Sequence, residues 1–250
     1  MRKFGLIGYP LGHSFSRKYF TEKFKNERII DSSYDNYPIT DISQITALIA
    51  GEPDLCGLNV TIPYKSEVLR FLDSIDSEAS EIGAVNVIKI NRRGGRLYLS
   101  GFNSDVTGIY DSLKPYFRNN LRHALVLGTG GSSRSVCYVL KKMGVKITSV
   151  SRENRRDTIT YRDITPDLIA ETQLIVNTTP LGMFPAVEAK PEIDYSLLGK
   201  EHILFDLVYN PEITAFLESG LKQGCTVITG LRMLHSQAER AWEIWNDDKM

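Results

Sequence analysis

Ala124-Leu125-Val126-Leu127 is an uninterrupted apolar run, and Gly128-Thr129-Gly130-Gly131-Ser132-Ser133 follows it at once. A strand apolar at every position has both faces covered, as in a parallel sheet. Parallel neighbours need long crossovers, usually helices. Arg134 to Met143 supplies the first. Lys146 to Val150 reads as the next strand, Leu174-Ile175-Val176 as another, Ile203 to Leu207 as a fourth and Thr226-Val227-Ile228 as a fifth. Helical segments separate most of them, Pro211 to Gln223 being the clearest. Repeated strand–helix–strand units predict an α/β fold built on a doubly wound parallel sheet.

The glycine turn is the first chemical signal. Glycines let the backbone approach a pyrophosphate, and the helix that follows offers free N–H groups and the positive end of its dipole. The third glycine of a strict G-x-G-x-x-G is Ser133 here, and a plain strand-to-helix turn is the alternative. The buried strand before it and the helix after it favour a nucleotide. An NAD site carries an acid about 20 residues past the glycines, for the ribose 2′-hydroxyl. That place holds Ser151-Arg152, with Arg155 and Arg156 close behind. Guanidinium groups suit a 2′-phosphate, so the cofactor predicted is NADP over NAD. Glu153 sits among these arginines and offsets them in part.

The chain before residue 106 reads differently. Strands are predicted at Lys3–Gly8, Leu55–Ile62, Ala84–Ile90 and Arg96–Ser100, the last two joined at Arg93-Gly94-Gly95 as a hairpin. Ser16 to Phe24 has helical spacing, and Pro63 suits the first turn of a helix through Leu72. The main boundary falls near Val106. Leu231 to Trp245 places Leu231, Leu234, Ala238, Ala241, Trp242 and Trp245 on one helical face.

Polar residues cluster in this half. Ser14 and Ser16 flank Phe15. Asn59 and Thr61 alternate with Leu58, Val60 and Ile62, so both face one side of a strand. Asn86 interrupts the apolar run Ala84 to Ile90, and Asn103-Ser104-Asp105 closes the half. Each has a plain explanation, such as a helix cap or a shaped turn. Together they suit a small polyhydroxylated acid. Lys65 is expected at a helix N-terminus, where the dipole favours the neutral amine and a nearby carboxylate would oppose it. A lysine so balanced suits proton transfer.

Composition narrows the class. Lys+Arg and Asp+Glu are both 30, a balance that argues against nucleic acid or a membrane surface as partner. Cys56, Cys137 and Cys225 form no C-x-x-C, which fits a reduced, cytoplasmic protein without a disulfide framework. No metal-ligand spacing links His13, His123, His202 and His235, so no metal is predicted. The first residues are too short an apolar stretch for a signal peptide, and no run of about 18 apolar residues would span a membrane.

The chain resembles the shikimate dehydrogenase family over nearly its full length. The resemblance rests on Ser14-Phe15-Ser16, Gly57 to Lys65 (GLNVTIPYK), Gly83-Ala84-Val85-Asn86 and Gly101-Phe102-Asn103-Ser104-Asp105. It continues through Gly128-Thr129-Gly130-Gly131, Asn177 to Met183 (NTTPLGM), Asp206 to Pro211 (DLVYNP) and Gly230 to Gln237 (GLRMLHSQ), in that order. It implies an N-terminal α/β substrate domain (residues 1–105 plus 231–250) and a Rossmann-like NADP domain (106–230), with the C-terminal helix returning to the first domain. It implies NADPH-dependent, reversible reduction of 3-dehydroshikimate to shikimate, in chorismate and aromatic amino-acid biosynthesis. Lys65 and Asp105 would be catalytic. Ser14, Ser16, Asn59, Thr61, Asn86, Tyr209 and Gln237 would hold substrate. Gly128, Thr129, Gly130 and Gly131 would hold the pyrophosphate. Ser151, Arg152 and Arg156 would lie at the 2′-phosphate, Thr178 along the cofactor, and Gly230 and Met233 near the nicotinamide.

The chain departs from the family at Ser104, commonly Thr, at Ser151 and Glu153 in a common Asn-Arg-Thr, and at Arg232, often Gly. Runner-up readings are a quinate/shikimate dehydrogenase using NAD and a non-catalytic NADP-binding sensor on the same scaffold. The intact Lys65 and Asp105 argue against the sensor. A methylenetetrahydrofolate dehydrogenase lacks the paired serines and the Asn103-Ser104-Asp105 cluster. Monomer and homodimer both fit.

Overall fold

The computed structural model describes residues 1–11, 15–119 and 121–247. The chain divides into two compact units, residues 1–104 with 238–250, and residues 105–237.

The first unit contains β1 (Arg2–Gly8), α1 (Phe15–Asn26), β2 (Ser32–Pro38), α2 (Gln44–Gly51), β3 (Leu55–Val60), β4 (Ser74–Ile75), α3 (Ser77–Ile82), β5 (Val87–Arg93) and β6 (Arg96–Phe102). They form a six-stranded sheet in the order β2-β1-β3-β5-β6-β4. β1 runs parallel to β2 and β3, while β5 is antiparallel to β3 and β6. One face carries Ile7, Leu58, Val60 and Ile88 in a buried cluster. The other holds Phe4, Phe20, Tyr34 and Trp245. Sequence periodicity does not reveal β2, because an edge strand reading SSYDNYP buries only Tyr34.

Residues 238–246 are part of this core. The Trp245 indole Nε1 donates to the Ile88 carbonyl at 3.0 Å. A Cβ on Gly57 would lie 2.3 Å from that nitrogen, so only glycine lets the indole lie against β3. Lys23, with its side chain 7% exposed, bridges Glu27 at 2.7 Å and Glu239 at 2.8 Å.

Two predicted elements are corrected. Residues 62–66 form turns, followed by a short 3₁₀ helix at Glu67–Phe71, rather than a helix starting at Pro63. The Lys65 carbonyl accepts from the Val85 N–H at 2.7 Å, a partner far along the chain, so it is not used within a helix. Lys65 therefore lies in the turn just before that short helix, whose cap residue is Ser66, and not in the first turn of a longer one. Asn86 is a bend that precedes β5, not a residue within the strand. Its backbone still bridges the sheet, donating to the Phe102 carbonyl at 3.1 Å and accepting from the Val60 N–H at 2.9 Å.

The second unit contains α4 (Asp105–Leu113), β7 (His123–Leu127), α5 (Gly131–Lys142), β8 (Lys146–Ser151), β9 (Ile159–Thr160), α6 (Pro166–Glu171), β10 (Leu174–Asn177), β11 (Ile203–Asp206), α7 (Ala215–Lys222) and β12 (Thr226–Ile228). The final helix, α8 (Gly230–Asn246), begins in this unit and ends in the first. The sheet order is β12-β11-β10-β7-β8-β9, and every pair is parallel. This is the doubly wound sheet expected, with β9 added at one edge. Its strand order reverses between β7 and β10, and ligands of such sheets lie at the carboxyl ends of strands where that happens. β7 is buried at all positions. Val136, Val139 and Leu140 of α5 cover one face, and Phe216 and Leu217 of α7 the other. Among the described residues, no helix is long and apolar enough to cross a membrane.

Candidate active site

In the first unit a chain of hydrogen bonds joins residues far apart in sequence. The Ser16 hydroxyl bonds the Tyr34 phenol. Tyr34 Oη donates to Asn59 Oδ1 at 2.8 Å, and Asn59 Nδ2 donates to the Asn86 carbonyl at 3.3 Å. Asn86 Nδ2 then donates to Ser104 Oγ at 3.0 Å, while the Ser104 N–H donates to Asn86 Oδ1 at 2.7 Å. Asn59, Asn86 and Ser104 are all buried, so each bond replaces one to water that burial removed. Burial also drives the Tyr34 phenol far above its ordinary pKa, with the Ser16 bond opposing, so Tyr34 stays neutral and able to donate.

The structure thus brings Ser16, Asn59 and Asn86 together. Thr61 lies just past β3, its N–H donating to the Ile7 carbonyl at 2.9 Å. Lys65, half-buried, is tied through its carbonyl to Val85, the neighbour of Asn86. Asn103 Nδ2 donates to the Ala84 carbonyl at 2.9 Å. Ser14 lies outside the described residues. Tyr34 was missed from sequence, because nothing in the polar β2 marks one tyrosine as inward and linked to Asn59.

Asp105 follows Ser104 directly and is the first residue of α4, in the second unit. Its side chain is buried, and its acidic charge suits the positive end of that helix.

The glycine turn lies at the end of β7. Gly128 has φ +111°, and a Cβ there would come within 2.6 Å of Thr178 Oγ1, so glycine is required. Thr178, just past β10, donates to the Leu127 carbonyl through its N–H at 3.0 Å and its hydroxyl at 2.6 Å. Gly128 and Thr178 therefore flank the strand-order reversal. A Cβ on Gly130 would meet nothing within 4 Å, and Gly130 precedes α5 without any side-chain cap on its N–H groups. Open space over uncapped N–H groups fits a phosphate group, and the residues present fit a dinucleotide.

At the end of β8, Ser151 is buried and its hydroxyl accepts from the Glu153 N–H at 3.3 Å. Arg152 is exposed and carries no ion pair among the described residues. Arg155 donates to Thr129 Oγ1 and to Glu153 Oε2, both at 3.4 Å. Arg156 is turned to solvent with its side chain 96% exposed, 3.6 Å from Asp157.

Gly230 opens α8 against the loop after β11, where a Cβ would meet the Leu207 carbonyl at 2.6 Å. Met233 is buried one turn on, and Gln237 Nε2 donates to the Leu234 carbonyl at 3.1 Å. Tyr209 is half-buried in that same loop.

The loop rests on Asp206, a fully buried carboxylate. Thr214 Oγ1 donates to it at 2.6 Å, the Val208 N–H at 2.9 Å and Asn177 Nδ2 at 3.0 Å. Burial pushes its pKa up to about 6, against the pull of those donors. The carboxylate joins the loop after β10, which bears Thr178, to the loop after β11, which bears Tyr209.

Residues 6–88 match the family model described as the shikimate dehydrogenase substrate binding domain. The shikimate dehydrogenase (NADP(+)) of Methanococcus aeolicus is 33% identical over 270 residues, covering 98% of this chain and 92% of the relative. The crystal structure of shikimate dehydrogenase 1 from Peptoclostridium difficile superposes with a TM-score of 0.84 at 34% identity, covering 100% of this chain and 93% of that one. The Thermus thermophilus shikimate 5-dehydrogenase, solved with NADP(H) and shikimate, has a TM-score of 0.84 at 30% identity, covering 98% and 94%. By its residues, its two sheets and these likenesses, the chain belongs to the shikimate dehydrogenase family.

Proposed function

We propose that this protein catalyses the reversible, NADPH-dependent reduction of 3-dehydroshikimate to shikimate. The observation that carries this reading is the buried Ser16–Tyr34–Asn59–Asn86–Ser104 chain of hydrogen bonds, which leads to the two residues suited to proton transfer. Lys65 is tied beside Asn86 through Val85, and Asp105 follows Ser104.

NADPH, when bound, supplies the hydride. Gly128, Thr129, Gly130 and Gly131 hold its pyrophosphate over the first turn of α5, and Arg152 with Ser151 lies toward the 2′-phosphate. Thr178, Gly230 and Met233 line the remainder. Ser14, Ser16, Asn59, Thr61, Asn86, Tyr209 and Gln237 hold the substrate's carboxylate and hydroxyls. As the ketone oxygen gains negative charge, Lys65 gives it a proton, and Asp105 orients the ammonium and accepts a hydrogen bond from a substrate hydroxyl. In the reverse direction Lys65 takes that proton back. The three free thiols suit a cytoplasmic setting, where they stay reduced.

Shikimate and NADP⁺ together should raise absorbance at the reduced-nicotinamide band. Protein that binds NADP⁺ yet gives no signal would instead be a sensor. Arg152→Ala should cost roughly 10-fold or more in kcat/KM with NADPH and much less with NADH, the scale of a charge-assisted phosphate contact. Equal losses with the two cofactors would remove Arg152 from phosphate recognition.

A further inference from the structure

We infer that Tyr34 is a positioning residue of the substrate site: its hydroxyl fixes the Asn59 side-chain amide with Nδ2 turned to the substrate, so that Asn59 binds there as a donor. The inference rests on the substrate reading above and deepens it. Tyr34 lies on β2, and β1 separates β2 from the strand that carries Asn59. Its side chain crosses β1 to reach that amide. The ring stacks on Phe20 of α1, with centroids 4.6 Å apart and planes 15° from parallel, which holds it in place. Tyr34 is only 4% exposed, so it acts through Asn59 and not on a ligand directly.

The orientation follows from which atoms can donate. A main-chain carbonyl only accepts, so the amide atom 3.3 Å from the Asn86 carbonyl is the nitrogen. Oδ1 then faces Tyr34 at 2.8 Å, and the phenol donates to it. Among the described residues no other donor reaches Oδ1. Without the hydroxyl, that oxygen is buried with no partner and the amide is loose at one end. An amide nitrogen carries two hydrogens, and the Asn86 carbonyl takes one. The second is what Asn59 offers to a lone pair on a substrate oxygen. The Ser16 hydroxyl bonds the same phenol, but a hydroxyl rotates to suit other partners, so Ser16 depends on Tyr34 less.

Steady-state kinetics of the intact protein with shikimate and NADP⁺ tests this. Tyr34→Phe keeps the stacked ring and should raise KM for shikimate roughly 5- to 30-fold, the scale of one buried hydrogen bond, with kcat within about 3-fold. Added to Asn59→Ala, the same change should move KM less than about 2-fold, because its partner is already gone. Tyr37→Phe is the control. That ring packs against the core on the opposite face of β2, and its loss of a hydroxyl should leave KM and kcat unchanged. Asn59→Asp still accepts from Tyr34 but has no hydrogen to give. It should raise KM at least as much as Asn59→Ala, and it tests the donor role even if Tyr34→Phe does not fold. Four results overturn the inference and leave the proposed function standing. They are a lower Tm with unchanged KM in Tyr34→Phe, an equal rise in KM on the Asn59→Ala background, a comparable rise in Tyr37→Phe, and a wild-type KM in Asn59→Asp. Wild-type protein that does not oxidise shikimate with NADP⁺ overturns both.

Discussion

Lys65→Ala lowers kcat roughly 10²- to 10⁴-fold in both directions, the range for a lost general acid, and leaves KM for shikimate within about threefold. The turnover loss is expected because the ketone oxygen then gains charge with no proton donor placed for it. The small KM effect is expected because, on the proposed reading, the substrate's other polar groups would meet Ser16, Asn59 and Asn86, of which Asn59 and Asn86 are held in place by Tyr34 and Ser104. Lys65→Arg separates charge from proton transfer. A guanidinium keeps the charge but does not cycle a proton near neutrality, so turnover should stay low. If either variant loses affinity while kcat holds, Lys65 is a binding residue and the proposed mechanism falls.

Asp206→Ala destabilises the protein by about 3–5 kcal/mol at neutral pH, with Tm lower by on the order of 10 °C. The cost arises from three stranded donors, on Asn177, Val208 and Thr214, around a fully buried position. The same residue carries a pH signature. Burial raises its folded pKa from 3.8 to about 6, so its contribution is fully present below the unfolded value and is lost as pH rises through about 6. Between pH 4 and 7 the wild type should therefore lose up to about 3 kcal/mol relative to Asp206→Asn, which has no proton to release. Thermal melts of the two proteins across that window measure the difference. A constant gap would mean the carboxyl is ionised throughout.

The parts legible in sequence were those written in short-range pattern. The apolar β7, the glycines after it and the helix beyond lie within twenty residues, and period and composition suffice to find them. Asn59, Lys65 and Asn86 were visible as polar residues in apolar surroundings. Their links were not, because Asn86 meets Ser104 and Lys65 meets Val85 through bonds whose partners only the folded sheet brings together. That long-range bond also explains why a helix expected from Pro63 gives way to turns. Tyr34 lay in a strand too polar to show a period. Arg155 and Arg156 are adjacent and chemically identical in sequence, and only the path of the loop turns one toward Thr129 and the other into solvent.

The first unit is discontinuous, closing over residues 238–246 through Trp245 and Glu239. During synthesis the second unit has all its residues once Gln237 has left the ribosome. The amino-terminal sheet, made earlier, must wait with the hollow beside Gly57 unfilled until the indole arrives. The half translated first is thus the half completed last, and it is the nascent chain's exposed apolar face in the interval.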